Sequence, residues 1–238
     1  MQKERIWEID AFRGILILCM VAVHLIYDLQ NFFLLPVLTH SRVYALAAKW
    51  GGVLFFLLSG ICATLGSRHI RRGLEVFFCG VGISAVTAGL YLLGFAQRGI
   101  LIYFGVLHCL GLCMVLWQFF QKLPLWGIGL AAAGMIAAGF TLIGRRFETG
   151  LWLLPLGFAP IGFLSADYFP LLPFFGFFLL GAVLGKTLYK QKRTLFPSVS
   201  PENRFIRLLC RAGKGSLMIY ILHQPVLLGA MYAWEAIL

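Results

Sequence analysis

Charged residues are scarce in this chain of 238 residues, and acidic residues are the scarcest. Only 12% of the residues are charged, with 9 Asp and Glu against 20 Lys and Arg, whereas 61% are hydrophobic. Because soluble domains carry about 25% charged residues, this composition excludes an ordinary soluble globular fold. The formal charge of +11 does not indicate a nucleic-acid partner, since the basic residues cluster between apolar runs and form no patterned basic surface.

The sequence also lacks the cysteine spacings that are typical of metal sites. None of its six cysteines belongs to a CxxC pair, and they are scattered through apolar segments and one polar loop. We therefore expect no metal and no disulfide, and we expect the cysteines to act as small buried side chains. The six are Cys19, Cys62, Cys79, Cys109, Cys113 and Cys210.

Long apolar runs dominate the chain instead. Seven of them are long enough to cross about 30 Å of hydrocarbon, and an eighth, near 150–166, is broken by Pro155 and Pro160 and is predicted to be re-entrant or interfacial. The predicted fold is an all-α polytopic transmembrane helix bundle of about seven spans, with residues 1–238 as a single domain. The seven runs lie near 14–35, 43–66, 73–95, 100–121, 124–144, 171–190 and 215–237.

The distribution of Lys and Arg predicts the orientation of this bundle. With the N-terminus inside, fifteen of the 20 basic residues face the cytoplasm and five face outward, as the positive-inside rule requires. If the 150–166 run spanned fully, the basic residues from Lys186 to Lys214 would face outward. We therefore expect an integral membrane protein with a cytoplasmic N-terminus.

The first predicted span carries a line of ionisable side chains. Its members are Asp10, Arg13, His24 and Asp28, which at about 100° per residue fall within a stripe roughly 60° wide. Ionisable groups are costly in a bilayer and mark a functional site by default. The alternative is a histidine used for helix packing between charges that anchor the helix ends.

Two more histidines, His108 and His223, lie within later predicted spans. A bundle of this size has room for one polar interior, so we expect them to converge with His24. A histidine titrates near neutral pH and can serve as a general base, and Asp28, four residues after His24, is placed to orient it. Gln224 would hydrate the last span beside His223.

Other polar residues leave two interpretations open. Asp10 and Arg13 pair with each other, or Arg13 binds a phosphate or a thioester carbonyl. Arg72 anchors the third span or binds a pyrophosphate. Asp167 caps the sixth span or contacts a substrate from outside. Residues 202–211 form an amphipathic helix on the anionic leaflet, or they contact a phosphorylated ligand.

Five blocks of residues, in order, resemble the catalytic-domain family of the heparan-alpha-glucosaminide N-acetyltransferases, specifically its short bacterial members. The resemblance covers nearly the whole chain. The blocks are Arg5 to Gly14, Met20 to Leu29, Phe104 to His108, Asp167 to Gly181 and Gly215 to Pro225.

This resemblance implies an acyltransferase of the bacterial cytoplasmic membrane. It would move an acetyl group from cytoplasmic acetyl-CoA, or another acyl-CoA, to a hydroxyl or amine of a sugar or other small acceptor, without a metal. It gives His24 the role of catalytic base, as in the broader membrane acyltransferase 3 families, although the lysosomal enzyme's histidine nearer matches His40. The expected site residues are His24 and Asp28 for catalysis, Arg13, Arg72 and Asp10 for the donor, and His108, His223, Gln224, Tyr27 and Asp167 near the substrate.

Two other classes of function remain open at this point. A proton-coupled transporter or flippase would use the same histidines to relay protons, and a structural subunit would not need them. Direct transfer and an acyl-histidine relay are both compatible with the sequence. The pairs Gly80-x-Gly82 and Gly127-x-Gly129 would permit close helix contacts within one chain or in a homodimer.

Overall fold

The computed structural model describes residues 6–32, 41–199 and 202–235. Within these ranges the chain is all-helical, as predicted, and contains isolated β-bridges but no strand. Short 3₁₀ helices occupy Arg98–Ile100 and Leu151–Leu156. The α-helices are α1 (Trp7–Phe32), α2 (Arg42–Leu65), α3 (His69–Leu92), α4 (Val106–Phe120), α5 (Leu125–Leu142), α6 (Leu171–Leu188), α7 (Arg204–Lys214) and α8 (Ser216–Glu235).

The described residues contain six helices that are long and apolar enough to cross a membrane, namely α1, α2, α3, α5, α6 and α8. The fourth predicted span is shorter than expected, because α4 has only 15 residues. Residues before it are extended: Phe104 pairs with Tyr168, and its carbonyl accepts from the Phe169 amide at 3.1 Å. Because of this pairing, the helical part of the apolar run begins only at Val106.

Large apolar side chains cover much of the surface. Leu92, Phe95 and Trp152 are 80%, 78% and 77% exposed, respectively. Soluble monomers rarely present continuous apolar surface of this kind. Together with the six span-length helices, it identifies an integral membrane protein.

The chain divides into two compact units, of which the first comprises residues 1–55 and 191–238. In this unit α1 and α7 approach closely through glycines. A Cβ on Gly14 would collide with the Leu209 carbonyl, and one on Gly213 would collide with the Asp10 carbonyl. Two helix backbones can pack this closely only where one of them carries a glycine, which has no side chain.

The segment before α7 is fastened to the start of α1. The Glu8 carboxylate accepts from the Thr194 hydroxyl at 2.9 Å and from the Leu195 amide at 2.8 Å. The Trp7 ring lies 6.4 Å from that of Phe196. These contacts fix the chain that enters α7 against the first turn of α1.

The second unit comprises Phe56–Lys190, and its helices also meet at glycines. A Cβ on Gly60 of α2 would collide with the Phe178 carbonyl of α6, and one on Gly181 of α6 would collide with the Leu57 carbonyl. Gly80 faces the His108 ring, whereas Gly82 has open space around its α-carbon. One glycine of the Gly80-x-Gly82 pair is thus used within the chain.

The run at 150–166 forms no α-helix. The 3₁₀ helix Leu151–Leu156 contains Pro155 and ends at Gly157, whose φ of 114° lies in the left-handed region that suits glycine. The Tyr168 hydroxyl donates to the Leu154 carbonyl at 2.8 Å. Burial raises the pKa of Tyr168 to about 12. Its hydroxyl therefore stays protonated and can donate this hydrogen bond.

Substitution of Gly60 by Ala tests the close crossing of α2 and α6. We expect Gly60→Ala to lower the free energy of unfolding by about 1–3 kcal/mol, because the new methyl group forces the two backbones apart. Gly82→Ala is the matched control, since nothing lies within 4 Å of that position. Thermal unfolding in detergent would contradict the crossing if Gly60→Ala were as stable as Gly82→Ala.

Candidate active site

Two histidines from different helices meet in the first unit. His24 of α1 and His223 of α8 have ring centroids 4.8 Å apart, with an angle of 66° between the ring planes. Both side chains are partly buried. The structure therefore brings together two of the three histidines for which the sequence predicts convergence.

A backbone carbonyl fixes the tautomer of His223. Its Nδ1 lies 2.6 Å from the Tyr220 carbonyl oxygen, and a carbonyl can only accept a hydrogen bond. Nδ1 must therefore carry a proton, which leaves Nε2 of the neutral ring as an unprotonated acceptor. No sequence pattern indicates this bond, because it depends on the rotamer of His223 one turn after Tyr220.

Asp28 contacts α8 instead of orienting His24. Its side chain is only 1% exposed, and its Oδ2 accepts from Nε2 of Gln224 at 2.8 Å. The structure gives Asp28 no hydrogen bond to His24 among the described residues. The i, i+4 spacing on α1 predicts a contact between His24 and Asp28, but Asp28 bonds Gln224 of α8 instead.

This bond determines how Gln224 is oriented. Because a carboxylate has no hydrogen to donate, Gln224 presents its NH₂ group to Asp28 and its Oε1 elsewhere. Oε1 of Gln224 and Nε2 of His223 are both buried, and neither has a hydrogen-bond partner among the described residues. Buried polar atoms are rarely left unpaired, so each of these two acceptors fits a ligand that donates a hydrogen bond.

We refer to His24, Asp28, His223 and Gln224 as the two-histidine site. All four side chains come from α1 and α8. Tyr27 lies one residue before Asp28 but is 52% exposed. His40 lies outside the described residues.

Asp10 and Arg13 form an ion pair near the beginning of α1. Arg13 Nη1 lies 3.4 Å from Asp10 Oδ1, and the two side chains are 23% and 12% exposed. Arg13 lies about 16 Å before His24 along the helix, at 1.5 Å per residue. Arg13 thus marks the opposite end of α1 from the two-histidine site.

His108 and Asp167 meet in the second unit, at the N-terminus of α4. Asp167 Oδ2 accepts from the Val106 amide at 2.9 Å, and His108 Nδ1 accepts from the Gly105 amide at 3.2 Å. A Cβ on Gly105 would collide with the Asp167 carboxylate. Asp167 therefore caps α4, whereas the sequence left open a cap on the sixth predicted span or a contact with a substrate.

The ring of His108 is 5% exposed and packs among aromatic side chains. Its centroid lies 5.4 Å from that of Phe77 and 5.7 Å from that of Phe104. His108 is the third residue of α4, whereas the sequence placed it well inside a longer span. These contacts give His108 a role in shaping the beginning of α4.

Replacing Asp167 by Ala removes the carboxylate cap of α4. We expect Asp167→Ala to destabilise the protein by about 0.5–2 kcal/mol, the usual cost of a lost cap. Asp167→Asn keeps an acceptor oxygen in the same place and should retain most of the stability. Equal melting temperatures for the two variants in detergent would argue against the capping role.

The two arginines before Gly73 differ in their contacts. Arg71 pairs with Glu75 at 2.9 Å in an exposed ion pair, which fits an anchor at the start of α3. Arg72 is also exposed but forms no ion pair with the described residues. Arg72 is thus not part of the ion pair that Arg71 forms at the start of α3.

The cysteines provide no metal site in the described part of the chain, where no group of three His, Cys, Asp or Glu could hold a metal ion. The Sγ atoms of Cys109 and Cys113 lie 3.9 Å apart on α4. The Cys210 thiol donates to the Trp7 carbonyl, and burial raises the pKa of Cys210. Cys210 is thus a protonated packing residue.

A family model matches most of the chain and identifies its family. The model for the catalytic domain of heparan-alpha-glucosaminide N-acetyltransferase matches residues 5–225. The chain belongs to this family. The match extends over parts of both units and includes every residue of the two-histidine site.

Membership in this family makes the chain a member of a group of membrane acetyltransferases. No curated protein and no solved structure matches it. The five blocks that carry the resemblance lie within the matched range. The role of each residue therefore has to be derived from this chain's own geometry.

Proposed function

We propose that the protein transfers an acetyl group from acetyl-CoA to an amine or hydroxyl of a small acceptor, and that the two-histidine site performs the transfer. The observation that carries this proposal is the pair of buried acceptor atoms, His223 Nε2 and Gln224 Oε1, that lie unpaired among the described residues. The His223 ring lies next to a second imidazole, that of His24, in a chain that belongs to a family of acetyltransferases.

The geometry supports a role for His223 as general base. The acceptor's N–H or O–H donates to Nε2 of His223, which takes the proton as the acceptor attacks the thioester carbonyl. A C–N or C–O bond forms and the C–S bond breaks. The coenzyme A thiolate then takes the proton from the imidazolium, so the enzyme returns to its starting state.

His24 is the second catalytic residue of this proposal. In direct transfer it shares the proton with His223 or donates a hydrogen bond to the thioester oxygen. In a relay it attacks the thioester itself, and an acetyl-imidazole carries the group to the acceptor. Asp28 acts through Gln224, because its bond to the NH₂ group leaves Oε1 for the acceptor.

The acceptor is best described as a group with two donor hydrogens. In this proposal Nε2 of His223 and Oε1 of Gln224 each accept one N–H of a primary amine, whereas a hydroxyl can satisfy only one of them. An amino sugar carries such an amine, in agreement with the family's name. We therefore propose an amine of a carbohydrate as the preferred acceptor.

The donor would approach from the end of α1 that holds Arg13. The Arg13 guanidinium is partly exposed and would bind a phosphate or the thioester region while Asp10 holds its orientation. Binding of a phosphate by Arg72 of the second unit is a separate proposal, which its exposure and the absence of an ion pair with the described residues support. The fifteen-to-five split of basic residues supports a cytoplasmic N-terminus, with acetyl-CoA drawn from the cytoplasm. A bacterial membrane is proposed from the resemblance to the short bacterial members of the family.

Label transfer from radiolabelled acetyl-CoA tests this function. Detergent-purified protein is incubated with the donor and either glucosamine or the corresponding sugar without the amine. We expect saturable donor binding and labelled N-acetyl product, with glucosamine the better acceptor. Failure of well-folded protein to bind acetyl-CoA would contradict the proposal.

The same reaction without an acceptor separates the two chemical routes. An acyl-histidine relay predicts protein-bound label after a rapid quench at mildly alkaline pH, and it predicts that His24→Ala abolishes this label. Direct transfer predicts label only in the acetylated acceptor. Either result leaves the acetyltransferase activity itself intact.

A further inference from the structure

The helix α7 presents three different faces. Cys210 and Gly213 are buried, and they belong to the face that packs on α1. Four basic residues are exposed on a second face, within a stripe about 80° wide at 100° per residue. They are Arg204, Arg207, Arg211 and Lys214.

The third face of α7 is apolar and exposed. Phe205 is 68% exposed and Leu208 is 60% exposed. In the helical order Leu208 lies directly beside the basic stripe and Phe205 follows Leu208. The helix contains no acidic residue. None of the four basic side chains forms an ion pair with another residue in the described part of the chain.

The connections of α7 place it at the surface of the bilayer. It ends at Lys214, and α8, a candidate membrane span, begins at Ser216. Its buried face contacts Asp10 and Gly14, which lie in the first two turns of α1, another candidate span. A helix that joins one span directly and packs on the end of another lies near the level of the lipid headgroups.

A soluble phosphorylated ligand would explain the basic stripe but not Phe205 and Leu208. A leaflet of anionic lipids explains both, because headgroup phosphates attract the arginines while the acyl boundary receives the apolar side chains. We propose that α7 is a binding surface for anionic phospholipids. This surface is separate from the two-histidine site and does not depend on the acetyltransferase activity.

Binding of single lipids to the purified full-length protein tests this inference. Native mass spectrometry would compare adducts of phosphatidylglycerol and phosphatidylcholine that have the same acyl chains. We expect a preference for phosphatidylglycerol that Arg204→Gln/Arg207→Gln/Arg211→Gln weakens on the order of 100-fold, at about fivefold for each basic residue. Phe205→Ser/Leu208→Ser should also weaken it.

Two further variants make the result decisive. Replacing the same three arginines by Lys preserves the charge and should keep the preference, which separates lipid binding from misfolding. Arg98→Gln/Arg145→Gln/Arg146→Gln removes three exposed arginines outside α7 and should change nothing. The inference is overturned if the α7 variant keeps the preference, if the control variant loses it equally, or if inorganic phosphate or coenzyme A displaces the lipid.

Discussion

His223→Ala should lower kcat/KM for acetyl transfer about 10²- to 10⁴-fold, the usual contribution of a general base. The Nδ1–H of His223 is held by the Tyr220 carbonyl, so its Nε2 is the unprotonated atom available to the acceptor. Because the donor is expected to bind near Arg13, the dissociation constant for acetyl-CoA should change little. Steady-state kinetics and donor binding on the same preparation check both expectations.

His69→Ala is the matched control for this prediction. His69 is also a buried histidine, 8% exposed, but it lies at the beginning of α3 in the second unit. It should retain nearly full activity once folded. A His223→Ala protein with wild-type turnover would remove His223 from the reaction.

Gln224→Leu should have the largest effect on stability. Asp28 is almost fully buried, and Gln224 is its hydrogen-bond partner. Removing that partner leaves a buried carboxylate unpaired, which costs about 3–5 kcal/mol by analogy with broken buried pairs. Thermal unfolding in detergent should show a lower melting temperature, and turnover should fall because Oε1 is lost as well.

A second substitution separates the charge from the packing. In the Gln224→Leu background, Asp28→Asn replaces the buried carboxylate by a neutral amide, so part of the lost stability should return. A double variant no more stable than Gln224→Leu would show that the bond to Asp28 is not the reason for the loss. Asp28→Asn alone should be mild, since its Oδ1 can still accept from Gln224.

The helical content and the position of most spans follow from local properties of the sequence. Apolar runs of 18 residues or more predict helices because a bilayer leaves no other way to satisfy the backbone. The same reasoning placed the beginning of α4 wrongly. Its beginning is set by the pairing of Phe104 with Tyr168, a contact between residues that are far apart in the chain.

The candidate site was predictable on α1 and less so on α8. Periodicity alone places Asp10, Arg13, His24 and Asp28 on one line. The partner of each group depends on the register between helices, which no spacing along one helix reveals. Asp28 therefore bonds Gln224 and not His24, and Asp167 caps α4 and not the helix that follows it.

The most direct test of the two-histidine site is kcat/KM for acetyl transfer by wild type, His24→Ala, His223→Ala and the double variant. Residues that act as a unit show strongly non-additive losses. We predict that the double variant is about as slow as the slower single variant. Independent losses that multiply in the double variant, or wild-type rates in either single variant, would contradict a shared site.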